Sequence, residues 1–150
     1  MEIKRANNYD LEKISQISSE NFSGLRDIKD ARQWVSCNFS AFPRMQYFVA
    51  EDSGVVTGYI LWMEKGGFRK ESVFELEQIA VDKNFQGQGV GTFLIEKSFS
   101  EIKNHLEERG AKIKSVEVTT GTDNRAQNLY KKTLGANPEC VIKDFFRGDE

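Results

Sequence analysis

The chain is poor in cysteine, proline and histidine. Its 150 residues include two cysteines, Cys37 and Cys140, two prolines and one histidine. Two isolated cysteines make neither a disulfide framework nor a metal-binding spacing, so we expect no metal. No apolar run is long enough to cross a membrane, and the N-terminal stretch MEIKRANNYD lacks the apolar centre of a signal peptide. We therefore expect a cytoplasmic protein that does not bind membranes.

The charge balance is close to neutral. Lys and Arg number 21 against 23 Asp and Glu, which gives a net charge of −2. Such a balance provides no overall attraction to nucleic acid, so we expect no nucleic-acid partner. Hydrophobic residues at 39% and charged residues at 29% are typical of a folded globular chain. The length predicts one domain over residues 1–150.

Hydrophobic periodicity predicts the element order β-α-α-β-β-β-α-β-α-β. QYFVAED and VVTGYILWMEK, joined by SG, have the pattern of a hairpin, and VFELEQIAV continues it into a three-stranded meander. A long helix over 92–108 follows and ends at Gly110, and IKSVEVTT is the next strand. A shorter helix runs from Asp123 to Gly135, before a last strand, ECVIKDFF. The fold class is therefore α/β (α+β), with a parallel strand pair where the long helix crosses over.

The stretch QGQGVG at 86–91 has a glycine at every second position, directly before the long helix. Glycine in a helix interior costs about 1 kcal/mol relative to alanine, so this run needs a physical reason. A helix N-terminus has unpaired N–H groups and partial positive charge, and glycines leave both open to a phosphate. A tight strand-to-helix turn is the competing interpretation, but it needs only one or two glycines. The run therefore favours a pyrophosphate site.

Two common nucleotide-binding patterns do not fit these glycines. A P-loop has Gly-Lys-Ser/Thr after its glycines, and the chain has none there. The dinucleotide fingerprint needs its third glycine at position 92, which is Thr92, and DKNFQ separates the strand from the first glycine. These differences disfavour a nucleotide-dependent oxidoreductase.

The stretch IAVDKNFQGQGVGTFLIE resembles the acetyl-CoA-binding motif of the GNAT superfamily of N-acetyltransferases. The family pattern is Gln/Arg-x-x-Gly-x-Gly/Ala, and Gln86, Gly89 and Gly91 match it. DNRAQNLYKKTLGA resembles the second signature of the family, and the element order agrees over nearly the whole chain. One departure is Lys83, which stands where the family usually has proline.

The resemblance implies a fold and an acetyl-CoA site. The fold would be a mixed, mostly antiparallel sheet with helices on both faces and a central parallel pair that splays apart at acetyl-CoA. Asp123 stands where the family has asparagine, with Asn124 beside it. Pantetheine would run along a strand end, and backbone N–H groups of the glycine loop would hold the pyrophosphate. The residues implied in acetyl-CoA binding are Ile79, Ala80, Val81, Gln86, Gly87, Gln88, Gly89, Val90, Gly91, Thr92, Asp123, Asn124 and Tyr130.

The resemblance also implies catalysis by direct attack of an amine on acetyl-CoA in a ternary complex. An amine with a pKa of ~10.4 is mostly protonated at neutral pH, so it must lose a proton before it attacks, and a carboxylate can accept that proton directly or through water. The departing thiolate then needs a proton, which a phenol can donate. Tyr130 stands at the tyrosine of the family and is the candidate general acid. Glu77 and Glu117 are alternative general bases, because each matches a glutamate of a different branch of the family. Each is otherwise an ordinary strand glutamate.

Two classes of function follow from the resemblance. The first is an enzyme that acetylates a primary amine of a small molecule or a protein N-terminus. The alternative is a non-catalytic acyl-CoA-binding sensor or scaffold. Four aromatic residues either line the acceptor pocket or pack in the core: Trp34, Phe39, Phe42 and Trp62. We expect His105 on the surface of the long helix.

The C-terminal region raises the question of a partner. Proteins of this family usually finish with two antiparallel strands, whereas only ECVIKDFF, at 139–146, precedes the final RGDE here. A strand without a neighbour exposes unpaired backbone groups that pair readily with another chain. We therefore expect either a longer gene product or a homodimer that covers this edge.

Overall fold

The computed structural model describes residues 1–120 and 126–135. The chain divides into two compact units, Met1–Glu117 and Val118–Glu150. The predicted single domain over 1–150 therefore stays a prediction. The described strands are β1 (Glu2–Arg5), β2 (Met45–Asp52), β3 (Val55–Lys65), β4 (Glu71–Val81) and β5 (Lys112–Val118). The described helices are α1 (Leu11–Asn21), α2 (Ile28–Ser40), α3 (Val90–Glu108) and α4 (Ala126–Leu134).

The strands form one sheet in the order β1-β2-β3-β4-β5. Strands β1 to β4 pair antiparallel, and the predicted hairpin between β2 and β3 turns at Ser53 and Gly54, with φ of 52° and 78°. Two consecutive positive φ values are typical of the tight turn that matches the twist of a hairpin. Strand β5 returns beside β4 after the α3 crossover, and the Lys112 N–H donates to the Lys70 carbonyl at 2.8 Å. The predicted meander and parallel pair are confirmed.

Helices cover both faces of this sheet, as predicted. On one face the Ser18 hydroxyl of α1 lies 2.7 Å from the Tyr59 hydroxyl of β3. On the other face the Trp62 indole N–H donates to the Ser98 hydroxyl of α3 at 2.7 Å. Residues separated by an odd number of positions on a strand point to opposite faces, which explains the two partners. The core on the α1 face includes Ile14, Ile17, Val35, Tyr47, Val49, Tyr59, Leu61 and Ala80.

Helix α3 ends where the sequence predicts, at Gly110. Its φ of +75° is readily adopted only by glycine. The Gly110 N–H donates to the Glu107 carbonyl at 2.9 Å, and the Ala111 N–H donates to the Leu106 carbonyl at 2.8 Å. This pair of bonds is the Schellman arrangement, which satisfies carbonyls left open at a helix end.

The second unit contributes α4 to the described residues. Gly135 follows the helix with a φ of +65°, and its N–H donates to the Lys131 carbonyl at 3.1 Å, so the predicted end of this helix is confirmed. The predicted helix start at Asp123 and the predicted strand at 139–146 lie outside the described residues. The homodimer stays a prediction for the same reason. Within the described ranges, no helix combines the length and apolar character needed to cross a membrane.

Candidate active site

The glycine loop between β4 and α3 needs two of its glycines for backbone reasons. Gly87 and Gly89 have φ of +78° and +81°, and a Cβ added to either would meet no atom within 4 Å. A residue with a side chain at either position would strain the backbone, although the space around it is open. Gly91 lies in the first turn of α3. The competing interpretation, a tight turn, therefore accounts for two of the three glycines.

The N-terminus of α3 has no side-chain cap. Its N-cap residue is Gly89, and the first hydrogen bond of the helix runs from the Phe93 N–H to the Gly89 carbonyl at 3.1 Å. The N–H groups of Val90, Gly91 and Thr92 precede that bond, so they have no acceptor within the helix. Loop residues 86–89 are exposed. This end of α3 thus presents donors and partial positive charge to an anion.

A buried aspartate holds the beginning of this loop. The Asp82 N–H donates to the Thr57 carbonyl at 2.8 Å, and the Asp82 carboxylate accepts from the Lys13 ammonium of α1 at 2.5 Å and from the Asn84 N–H at 2.9 Å. The Lys13 ammonium and the Asn84 N–H lower the pKa of Asp82. Sequence reasoning missed this residue, although an aspartate at the start of a loop is a common turn signal.

The residues implied in acetyl-CoA binding begin at the end of β4 and continue into the glycine loop. Ile79, Ala80 and Val81 pair with β3, and Ala80 is buried. The Gln86 side chain donates to the Val81 carbonyl at 3.2 Å, so it bridges the loop. Gln88 is exposed. Asp123 and Asn124 lie outside the described residues.

Glu77 occupies an irregular position on β4. Leu61 of β3 is opposite Gln78, and the next residue, Trp62, is opposite Leu76. Glu77 is therefore the extra residue of a β-bulge. Bulges bend a strand and change the direction of side chains, and they are frequent beside active sites. This bulge had no signal in the sequence.

The two candidate bases differ in environment. Glu77 is half-buried, and burial raises its pKa, as do the charge of Glu75 and a hydrogen bond with it, whereas the Lys65 ammonium lowers it. Glu117 is exposed, and its carboxylate accepts from the same lysine at 2.8 Å. Both glutamates thus interact with Lys65, and they differ in burial, since Glu77 is half-buried and Glu117 is exposed.

A cavity of about 280 Å³ opens on the first unit. Tyr47 lines it and accepts a hydrogen bond from the Asn38 side chain at 3.2 Å. Burial raises the pKa of Tyr47, and the charge of Glu77 raises it further, so this cavity wall is electrostatically linked to the candidate base. The remaining lining residues are Arg5, Ala6, Phe39, Phe42 and Met45.

The four candidate aromatic residues and His105 differ in burial and in their distance from the cavity. Trp62 is fully buried in the core, and Trp34 is exposed on α2, so of the four aromatic residues only Phe39 and Phe42 line the cavity. His105 is half-buried rather than exposed, and its ring lies 6.3 Å from that of Phe42. Within the described ranges no group of His, Cys, Asp and Glu side chains could hold a metal ion.

Tyr130 lies on α4 in the second unit. It is buried, and burial raises the pKa of its phenol. A tyrosine phenol, with an ordinary pKa of ~10, is protonated at neutral pH, and the raised pKa keeps it in that state, which a general acid requires.

A second glycine position escaped sequence reasoning. A Cβ on Gly58 of β3 would lie 2.9 Å from the Ala80 carbonyl oxygen and 3.1 Å from Val90 at the start of α3. Gly58 therefore allows α3 to approach the sheet next to the glycine loop. Glycine inside a strand is the available signal for such close approach.

The sequence comparisons identify the family. The model of the acetyltransferase (GNAT) family matches residues 11–136. The chain belongs to this family. An uncharacterized N-acetyltransferase of Methanocaldococcus jannaschii is 32% identical over 105 residues, which cover 67% of this chain but only 43% of that longer protein. An uncharacterized N-acetyltransferase of Archaeoglobus fulgidus is 28% identical over 93% of this chain and 95% of its own length.

Solved structures agree on the fold. An aminoglycoside N-acetyltransferase in complex with CoA superimposes with a TM-score of 0.73 at 20% identity, over 97% of this chain and 93% of its own. An acetyltransferase of Pyrococcus furiosus, described as putative, superimposes with a TM-score of 0.68 at 18% identity, over 94% of this chain and 95% of its own. The fold and family predicted from the sequence are confirmed.

Proposed function

We propose that the protein transfers an acetyl group from acetyl-CoA to the primary amine of a small molecule. The observation that carries this proposal is the exposed, uncapped N-terminus of α3, which a single loop connects to the strand that bears Glu77. An anion site and a half-buried carboxylate lie on one continuous β4-loop-α3 segment. Acetyl transfer to an amine requires both.

The glycine loop is proposed to hold the pyrophosphate of CoA. The first-turn N–H groups of α3 supply donors, and the absence of side chains at Gly87 and Gly89 leaves room for the phosphates. The lysine-anchored Asp82 fixes the beginning of the loop, so the donors are held in place before CoA arrives.

The proposed proton traffic uses one carboxylate and one phenol. Glu77 accepts a proton from the substrate ammonium, because its raised pKa makes it a stronger base than an exposed glutamate. The amine nitrogen then bonds to the acetyl carbonyl carbon, and the carbon–sulfur bond breaks. Sulfur leaves as a thiolate, and the buried phenol of Tyr130 donates its proton to it. The nitrogen releases its second proton to solvent as the amide forms, and the tyrosinate regains a proton from solvent.

The acceptor is proposed to be cationic. The ammonium of Lys65 interacts with three glutamates, Glu75, Glu77 and Glu117. This surface therefore has an excess of negative charge, which attracts an ammonium group. The aminoglycoside acetyltransferases among the similar structures support a small-molecule acceptor over a protein N-terminus.

A turnover assay tests the proposal. The purified chain would be mixed with acetyl-CoA and a panel of aminoglycosides, polyamines, amino acids and N-terminal peptides, and thiol release would be recorded. We expect amine-dependent thiol release with at least one small molecule. CoA binding without turnover of any amine would instead support a non-catalytic acyl-CoA-binding module.

The glycine loop can be tested separately with two variants of one helix. Gly89→Asp and Gly110→Asp place the same side chain at opposite ends of α3, at φ of +81° and +75°, each in open space. Both should lose similar stability through backbone strain. Only Gly89→Asp should abolish the rise in Tm on adding CoA, because its carboxylate would repel the pyrophosphate. An equal CoA-induced rise in both variants would place the CoA site elsewhere.

A further inference from the structure

We propose that Glu75, together with the ion pair between Lys65 and Glu117, sets the pH range in which Glu77 acts as a base. This inference rests on the proposed function, in which Glu77 accepts the substrate proton. Neither Glu75 nor Lys65 lies in the family motifs identified in the sequence. In this proposal Glu117 is a positioning residue rather than an alternative base.

The backbone brings these groups onto three neighbouring strands. Lys65 is the last residue of β3, and Glu75 on β4 is opposite Met63, two residues before it. Met63 packs against the core on the α1 face, so Glu75 lies on that face as well. Glu117 on β5 reaches Lys65 at 2.8 Å. Glu77 follows Glu75 by two residues on β4, at the bulge, and a hydrogen bond joins the two carboxyl groups.

Glu75 acts on Glu77 by charge and by a hydrogen bond between the two carboxyl groups. Both effects raise the pKa of Glu77, because a like charge nearby disfavours its ionised form and the hydrogen bond favours its protonated form. Removing the Glu75 charge should therefore make Glu77 release its proton at lower pH.

The Lys65 ammonium lowers the pKa of Glu77, and the ion pair between Lys65 and Glu117 limits this effect. The Lys65 ammonium donates to the Glu117 carboxylate at 2.8 Å, so one of its donors is engaged, and its charge also interacts with Glu75 and Glu77. The fourth group near Glu77 is Tyr47 of β2, whose phenol stays neutral because burial raises its pKa. From β2, β3, β4 and β5, the charged groups that act on Glu77 are thus Lys65, Glu75 and, through Lys65, Glu117.

The dependence of kcat/KM on pH tests the inference, since its acidic limb follows the protonation of the base in the free enzyme. Glu75→Gln should move the limb to lower pH, because a like charge is removed. Lys65→Met should move it to higher pH, because an opposite charge is removed. Glu117→Gln should move it to lower pH by releasing Lys65, and this shift should vanish in a Lys65→Met background.

Three controls separate the inference from the proposed function. Glu77→Gln should remove the limb, and a limb that persists would overturn the assignment of Glu77 as base. A limb lost in Glu77→Gln but unmoved in Glu75→Gln and Lys65→Met would overturn the inference alone. Glu71→Gln, on the same strand but paired with Lys112 at 3.7 Å, should leave the limb in place. The CoA-induced change in Tm, measured for every variant, should match the parent, since none of these side chains lies in the glycine loop.

Discussion

Glu77 and Glu117 have the same side chain, and at the scale of the residue their difference is one of surroundings. Glu77 is half-buried beside another carboxylate and therefore binds its proton more tightly, whereas Glu117 is exposed and paired with Lys65. The sequence could identify both as candidates because both match family positions. It could not show how their surroundings differ, because burial and neighbours across strands come from the fold.

Tyr130 provides the test at this scale. Tyr130→Phe removes only a hydroxyl, so the fold and CoA affinity should be kept while kcat falls by about 10²-fold or more, the usual contribution of a general acid. Steady-state kinetics and a CoA titration would measure the two effects. Tyr9→Phe is the matched control, since Tyr9 is 95% exposed, and it should leave kcat unchanged. A Tyr130→Phe variant with the kcat of the parent would remove this residue from the mechanism.

At the scale of the element, α3 connects the anion site with the sheet. Its first turn packs over Gly58, where Val90 and Leu94 would lie 3.1 and 3.2 Å from an added Cβ. The glycine loop therefore has a fixed position relative to β3 and β4. The amphipathic pattern of this helix was readable from the sequence, but the strand glycine under its first turn was not recognised as its packing partner.

Gly58→Ala tests this packing. The new methyl group would meet the Ala80 carbonyl oxygen at 2.9 Å, and this backbone atom cannot move without β4. We expect a loss of about 1–3 kcal/mol in the free energy of unfolding, as for other overpacked sites, and weaker CoA binding because the first turn of α3 is displaced. Gly24→Ala is the control, because its Cβ would meet nothing within 4 Å. Urea unfolding and CoA titration would measure both effects, and unchanged values for Gly58→Ala would contradict the close approach.

At the scale of the whole molecule, a buried ion pair joins distant parts of the first unit. The Glu64 carboxylate of β3 is 1% exposed and accepts from the Arg109 guanidinium, at the end of α3, at 2.9 and 2.6 Å. The Ser72 hydroxyl of β4 donates to it as well. Burial raises the pKa of Glu64, but the bonds from Arg109 and Ser72 outweigh it, so the net pKa is lowered.

This lowered pKa predicts how stability depends on pH. The contribution of Glu64 is fully present above its unfolded pKa of 4.5 and is lost as the pH falls from there through the lower folded value. Arg109→Met should cost about 3 kcal/mol at neutral pH, because a buried carboxylate is left without its partner. In that variant burial raises the pKa of Glu64, so acidification towards pH 4.5 should destabilise it less than the parent.

Urea unfolding at neutral and acidic pH would measure this effect. Arg32→Met is the control, since it breaks the exposed Arg32–Glu12 pair and should change stability little. Equal losses in the two variants would contradict a special role for the buried pair.

The sequence by itself determined the order of the described elements, the family and the position of the glycine loop. These features depend on local periodicity, on turn residues such as Gly54, Gly89 and Gly110, and on short motifs, all of which act between residues close along the chain. Only the tertiary structure decided the bulge at Glu77, the anchoring of Asp82 by Lys13, the Glu64–Arg109 pair and the Lys65–Glu117 pair. Each of these joins residues far apart in sequence, because strand register and helix packing bring them together, and no local pattern encodes such a contact.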